Sequence, residues 1–362
     1  MLKSKKVILI TYPDDFSEQE AKSLVESASE NYMLTKIFTQ KYLNHSKYGI
    51  GSGKVDEIKD YLKENPNDLV IIDERLTGKM IYNLEKEFGI KVIDRERLIL
   101  DIFYSRATTN EAKLQIQLAE IKYELPQVRE KAKILKGNER PGKGGSGEYI
   151  VDVKFRDLKR RMGFIIEKLN QARQKRKLYQ TQRLNSNIPV IALVGYTSAG
   201  KTTLFNTLTN ENKETSGSLF TTLTTTTRSF FINNKKFMLT DTVGFISRLP
   251  TYMIEAFKST LEESLDADII LLLVDSSQSL DDFQIKYYSC WQILKELDVN
   301  ETKVIPVFTK FDKTSSEQIQ KIIGYFEIQN PLCISTKTGY GLRKLEKVIQ
   351  QQLKIPNPLE IR

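Results

Sequence analysis

Gly195-Tyr-Thr-Ser-Ala-Gly-Lys-Thr202 is a run whose residue types and spacing can hold phosphates. It fits G-x-x-x-x-G-K-[ST], in which small residues let backbone N–H groups close around an anion at a helix N-terminus. On this pattern Lys201 reaches the β- and γ-phosphates and the Thr202 hydroxyl ligates Mg²⁺. Gly195, Tyr196, Thr197, Ser198, Ala199, Gly200 and Thr203 then line the nucleotide. Further along, Asp241-Thr242-Val243-Gly244 ends an apolar run. A carboxylate there can hold Mg²⁺, usually through water, and the Gly244 N–H can face the γ-phosphate. Lys201, Gly244 and a threonine of the intervening stretch make up the expected catalytic set.

That stretch is Leu219-Phe220-Thr221-Thr222-Leu223-Thr224-Thr-Thr-Thr-Arg228. A loop that needs a hydroxyl on Mg²⁺ only while the γ-phosphate is present would have this composition. Its chemistry leaves open which threonine serves, and a Thr-rich edge strand fits part of the run. The base is read elsewhere. Thr309-Lys310-Phe311-Asp312 resembles the guanine-reading N-K-x-D motif, with Thr309 where asparagine is usual. The Asp312 carboxylate can accept from guanine N1–H and the exocyclic amine, and adenine offers neither donor there. Ser335-Thr336-Lys337 resembles the loop whose backbone N–H approaches guanine O6. Phe245 stands where signalling GTPases carry a water-positioning glutamine, and a phenyl ring cannot orient water. The single histidine, His45, lies far from these motifs in sequence.

Elements must hold these groups in place. Short apolar runs at Pro189–Val194, Phe237–Thr240, Ile269–Val274 and Val304–Phe308 read as buried strands, and the first, second and fourth lead into motifs. Thr203–Leu208 continues the first motif as a helix, and Leu342–Leu353 is a final helix. The predicted fold is α/β, a P-loop domain with a mostly parallel sheet over 188–354 and a short tail over 355–362. Residues 1–106 alternate strand-like runs (Val7–Ile10, Leu69–Asp73, Ile90–Ile93) with amphipathic segments (Lys54–Lys63, Thr77–Phe88), which predicts a small, largely parallel α/β layer. Residues 107–187 carry two heptad series. The first is Leu114, Leu118, Ile121, Leu125, Val128, Ala132 and Leu135, with Pro126 inside it as a predicted kink. The second is Phe155, Leu158, Met162, Ile165, Leu169 and Ala172. They predict an antiparallel hairpin whose Gly-rich tip spans 136–148.

The chain has 362 residues and a net charge of +9. Between Lys154 and Arg183 stand eleven basic residues and two acids, so this one segment accounts for the whole excess. Such a stripe is the electrostatic footprint of a protein that meets phosphate backbones; the plainer reading is a solvated helix face. Two cysteines are too few for a disulfide framework. No apolar run is long enough to span a membrane, and the four apolar residues at Val7–Ile10 are too few for a signal peptide. The expectation is a cytoplasmic chain, partly associated with RNA, and no feature indicates an oligomer.

Several stretches together resemble the HflX-type GTPases, a ribosome-associated group of the translation-factor-related class. They are GYTSAGKTTLFN from Gly195, LFTTLTTTTR from Leu219 and DTVGF from Asp241. Outside the P-loop domain they are YGIGSGKVDEI from Tyr48 and the long run from Val92 to Glu130. The resemblance implies a partner in the large ribosomal subunit and its RNA, dissociation or rescue of ribosomes, and GTP hydrolysis stimulated by that partner. It also makes Thr222 the preferred metal ligand beside Thr202 and Asp241. The chain departs from the family pattern at Ser198 and Thr309, each in place of an asparagine, and it stops at Arg362, where many bacterial members continue into a further domain. Two other readings compete: an assembly factor that binds RNA and uses GTP to time its release, and a second nucleotide-dependent activity in the N-terminal part, whose motif support is Gly49–Lys54.

Overall fold

The computed structural model describes residues 4–28, 32–138, 146–184, 188–211, 226–255, 266–326 and 331–353; for 131–138, 146–150 and 175–184 it describes the backbone alone. Two compact units make up the chain, Met1–Gln171 and Ala172–Arg362.

The first unit is built on a parallel sheet of β1 (Lys5–Thr11), β2 (Tyr32–Thr39), β3 (Leu69–Ile72) and β4 (Lys91–Asp94), in the order β2-β1-β3-β4. The central strands β1 and β3 are apolar along their shared register, Val7 to Ile10 beside Leu69 to Ile72, because helices cover both faces. These helices are α1 (Asp15–Ala28), α2 (Ser52–Glu64), α3 (Gly78–Phe88) and α4 (Arg95–Arg106). Asp94 caps α4, accepting from the Arg97 N–H at 2.8 Å, and also accepts the Tyr123 hydroxyl at 2.9 Å. Burial raises its carboxyl to about 6.

Two long helices follow, α5 (Asn110–Asn138) and α6 (Ser146–Leu184), and α5 runs on through Pro126. Their heptad residues form one seam of Leu118, Ile121 and Val128 with Leu158 and Ile165, flanked by Leu114, Leu125, Phe155, Met162 and Leu169. Lys154 pairs with Glu124 at 3.3 Å and Arg129 lies over the Phe155 ring at 4.9 Å; two such long helices packed side by side with seven residues between them must run antiparallel. The side chains of Ala132 and Leu135, and residues 139–145 of the tip, lie outside the described residues.

The second unit holds a six-stranded sheet in the order β10-β9-β8-β5-β7-β6. Its strands are β5 (Val190–Gly195), β6 (Thr226–Ile232), β7 (Lys235–Asp241), β8 (Ile269–Asp275), β9 (Val304–Thr309) and β10 (Leu332–Cys333). All neighbours are parallel except β6 and β7. That hairpin turns on Asn233 and Asn234, both at positive φ (48° and 62°), as a tight two-residue turn requires. The unit also holds helices α7 (Lys201–Thr209), α8 (Leu280–Glu296), α9 (Ser316–Phe326) and α10 (Leu342–Gln352). The core packs Leu204, Phe205 and Ile349 against Leu193, Leu239 and Leu271. Parallel order brings the ends of β5, β7, β8 and β9 to one edge, where open α/β sheets take their ligands.

Candidate functional site

Gly195 leaves β5 at φ 150°, and a Cβ there would collide with the Leu273 carbonyl of neighbouring β8, so only glycine fits. The loop closes at Gly200, which enters α7 at φ 91° with no side-chain cap, so the first-turn N–H groups of α7 have no capping side chain. Lys201 is buried, its Nζ donating to the carbonyls of Gly195 at 3.0 Å and Tyr196 at 2.8 Å. Burial lowers its ammonium to about 8, an effect that the nearby Asp241 carboxylate opposes. The Thr202 hydroxyl donates to Asp241 Oδ2 at 3.1 Å, joining the start of α7 to the end of β7. Thr203 points outward and Ser198 is exposed at φ 60°.

Past β7, Thr242 is fully buried and its hydroxyl donates to the Leu193 carbonyl at 2.7 Å. Val243 and Phe245 are buried as well. Gly244 lies against the phosphate loop, where a Cβ would be 2.7 Å from Thr197 Cγ2 and 3.2 Å from Lys201 Nζ. Phe220, Thr221, Thr222, Leu223 and Thr224 lie outside the described residues; β6 takes up the same run from Thr226.

At the end of β9 the Thr309 hydroxyl donates to the Ala199 carbonyl at 2.8 Å and lies 3.2 Å from the Val274 carbonyl. It therefore ties the Thr309–Asp312 segment to the Gly195 loop. Lys310 pairs with Asp275 at 2.7 Å. Asp312 Oδ1 accepts from the Ser335 hydroxyl at 2.7 Å, and that bond holds its carboxyl below the usual range. Thr336 and Lys337 form the turn that follows, and the charge of Lys337 lowers Asp312 further. The structure thus brings the Gly195 loop, Asp241–Gly244, Thr309–Asp312 and Ser335–Lys337 to one edge of one sheet. His45 belongs to the other unit, in a small bridge with Gly49, and Lys54 of the Gly49–Lys54 motif turns to Glu57 at 2.7 Å.

Three neighbours of the site escape a reading of the motifs. Asp275 holds Lys310; Ser276 donates its hydroxyl to the Thr309 carbonyl at 2.7 Å. Cys290 is buried beside Lys201 and Tyr196, and its thiol is pushed up to about 12 by burial. The position of Asp275 and Ser276 at the end of a central strand was the available signal. Cys290 on α8 carried none. Among the described residues no cluster of three or more His, Cys, Asp or Glu could hold a metal, and no helix is long and apolar enough to cross a membrane.

Three family models match in chain order: "GTP-binding GTPase N-terminal" over 16–104, "GTP-binding GTPase Middle Region" over 106–183 and "50S ribosome-binding GTPase" over 190–310. The GTPase HflX of Methanocaldococcus jannaschii is 40% identical over 351 residues, which is 96% of this chain and 87% of that protein. The GTPase HflX of Caldanaerobacter subterraneus is 37% identical over 350 residues, covering 96% and 79%. Among solved structures, a GTP-binding protein from Sulfolobus solfataricus in complex with GDP aligns with a TM-score of 0.50 at 29% identity, covering 96% of this chain and 98% of that one. Likeness over the N-terminal layer, the hairpin and the phosphate-loop unit together, at this level of identity, places the chain in the HflX family of GTPases.

Proposed function

We propose that this GTPase binds GTP with Mg²⁺ at the edge of the second sheet and acts on the large ribosomal subunit, dissociating or rescuing ribosomes. The observation that carries the nucleotide site is the convergence of a buried Lys201, the Thr202–Asp241 pair and the Asp312–Ser335 pair on one sheet edge. In this reading Lys201 contacts the β- and γ-phosphates, and the uncapped start of α7 supplies N–H groups to the same anion. Thr202 and Asp241 place a hydroxyl and a carboxylate 3.1 Å apart, hard oxygen donors of the kind Mg²⁺ takes alongside water and phosphate. Bound there, the ion would neutralise charge on the phosphates. Thr222 is the proposed further ligand. Asp312 reads the guanine edge, and Thr309 keeps the base-reading segment in register with the phosphate loop. Phe245 is 2% exposed and offers no group to orient water, so hydrolysis draws that group from a partner or from another part of the chain.

Two observations support the ribosome as partner: membership of a family described as ribosome-binding, and the exposed basic face of α6. Co-sedimentation with ribosomal subunits tests the reading. Binding to the large subunit should be stronger with a non-hydrolysable GTP analogue than with GDP, and light scattering should report dissociation of whole ribosomes. Equal binding in both nucleotide states would overturn it. Binding to incomplete subunits without dissociation would favour the assembly-factor reading, which the same basic face supports.

A further inference from the structure

The phosphate loop and the segment after Gly244 are joined beyond what holding a nucleotide requires. Tyr196 and Phe245 form an isolated parallel bridge. Within it the Thr197 N–H donates to the Phe245 carbonyl at 2.8 Å, and the Phe245 N–H donates to the Gly195 carbonyl at 3.0 Å. A third bond comes from a side chain: the Ser247 N–H donates to the Tyr196 hydroxyl at 2.6 Å. Tyr196 is 4% exposed, and Lys286 Nζ sits 5.3 Å from the centre of its ring, so the phenol is held from both sides.

The consequence falls on Gly244. With the bridge formed, a Cβ added at Gly244 would fall 2.7 Å from Thr197 Cγ2 and 3.2 Å from Lys201 Nζ, so the glycine faces both closely. That is the space a terminal phosphate needs if Lys201 is to touch it. A diphosphate makes no demand there. If Lys201 is to meet the γ-phosphate, a triphosphate would have to displace Gly244 against the two backbone bonds of Phe245 and the Tyr196 bond. A ligand shifts such an equilibrium only through what it gains or loses in each arrangement, so every bond that favours the joined form acts against the triphosphate.

We propose that Tyr196 is a specificity-determining residue: its hydroxyl holds the Gly244–Ser247 segment against the phosphate loop and thereby sets the preference between guanosine di- and triphosphate. The inference rests on the Gly195 loop being the nucleotide site. Removing the hydroxyl deletes one buried hydrogen bond from the joined form, which changes the ratio of the two affinities by roughly three- to tenfold.

Titrations of the full chain with GDP and with a non-hydrolysable GTP analogue test this in wild type, Tyr196→Phe and Ser247→Pro. Tyr196→Phe keeps the ring and should shift the ratio toward the triphosphate by that factor. Ser247→Pro removes the donor of the same bond and should shift it the same way, and the double variant should add little beyond either single change. Ratios within twofold of wild type in both single variants overturn the proposal, whether the two affinities stay put or fall together. Should one variant fail to fold, the other carries the same test. Wild-type protein that binds neither nucleotide would overturn the site itself, and the role of Tyr196 with it.

Discussion

Asp312 and Thr309 sit three residues apart and do different work. Asp312 is exposed, its carboxylate is an acceptor at neutral pH, and the Ser335 hydroxyl lowers its carboxyl further and fixes its position. Asp312→Asn exchanges an acceptor for an amide donor that suits the keto group at position 2 of xanthine. Nucleotide titrations should show weakened GTP and GDP and a gain of xanthine nucleotides; unchanged guanine affinity would remove Asp312 from base reading. Thr309 is buried, and its hydroxyl serves the Ala199 carbonyl. Thr309→Val keeps the volume but leaves that carbonyl without its donor, a loss of about 1–3 kcal/mol that should appear as lower stability to urea. Lys201 titrates near 8 in the free protein, because burial disfavours its charge. Phosphate oxygens beside it would hold the proton to higher pH, so above about 8 binding takes up a proton. GDP affinity should therefore be flat from pH 7 to 8 and fall by up to ~tenfold per unit above it. A flat profile from 7 to 9 would mean that Lys201 is charged throughout.

On the proposed reading, the hairpin is the element that meets the partner. Its seam is apolar and narrow, which leaves the rest of α6 free to carry charge. Lys154, Arg156, Lys159, Arg160, Arg161, Lys168 and Arg173 are all exposed; the side chains of Lys175, Arg176, Lys177 and Arg183 lie outside the described residues. Some of this charge is already spent, since Lys154 meets Glu124 and Arg160 meets Asp157 at 2.9 Å. Lys159, Arg161 and Lys168 are exposed and show no such ion pair among the described residues, though Arg161 is near enough to Glu120 of α5 for its charge to oppose the burial that raises that carboxyl. Replacing these three with glutamate should abolish large-subunit binding while leaving GDP affinity within twofold. Co-sedimentation across a salt series checks it: wild-type affinity should fall steeply with salt, because each phosphate contact releases counterions. A triple variant with the wild-type salt slope would make α6 a solvated face.

At the scale of the molecule, the groups proposed to hold phosphate, metal and base are gathered on one edge, while buried Phe245 stands where signalling GTPases carry a water-positioning glutamine and His45 belongs to the other unit. The isolated protein should accordingly hydrolyse GTP slowly, on the order of 10⁻⁴ to 10⁻² s⁻¹, as GTPases without a stimulating partner do. Single-turnover measurements with and without large subunits check this. A fast rate from the protein alone would place the missing group within the chain.

The motifs were legible in sequence because phosphate and guanine impose residue types at fixed spacing. The buried strands that carry them were legible because parallel strands covered on both faces read as unbroken apolar runs, as at Ile269–Val274. The hairpin seam was legible for a similar reason, since its heptads are local along the chain. Other elements were not. The edge strand β2 is half exposed, and Thr35 and Lys36 interrupt its apolar pattern, so Tyr32–Thr39 gave no clear period. The same holds for α4, whose Arg95 and Glu96 are buried by ion pairs instead of lying on a polar face. Tertiary structure alone decided how the site's parts meet. Tyr196 finds Ser247 51 residues away, Thr309 finds Ala199 across 110 residues, and Lys310 finds Asp275 across 35. No spacing encodes those meetings, because they depend on which strand ends the parallel sheet order sets side by side.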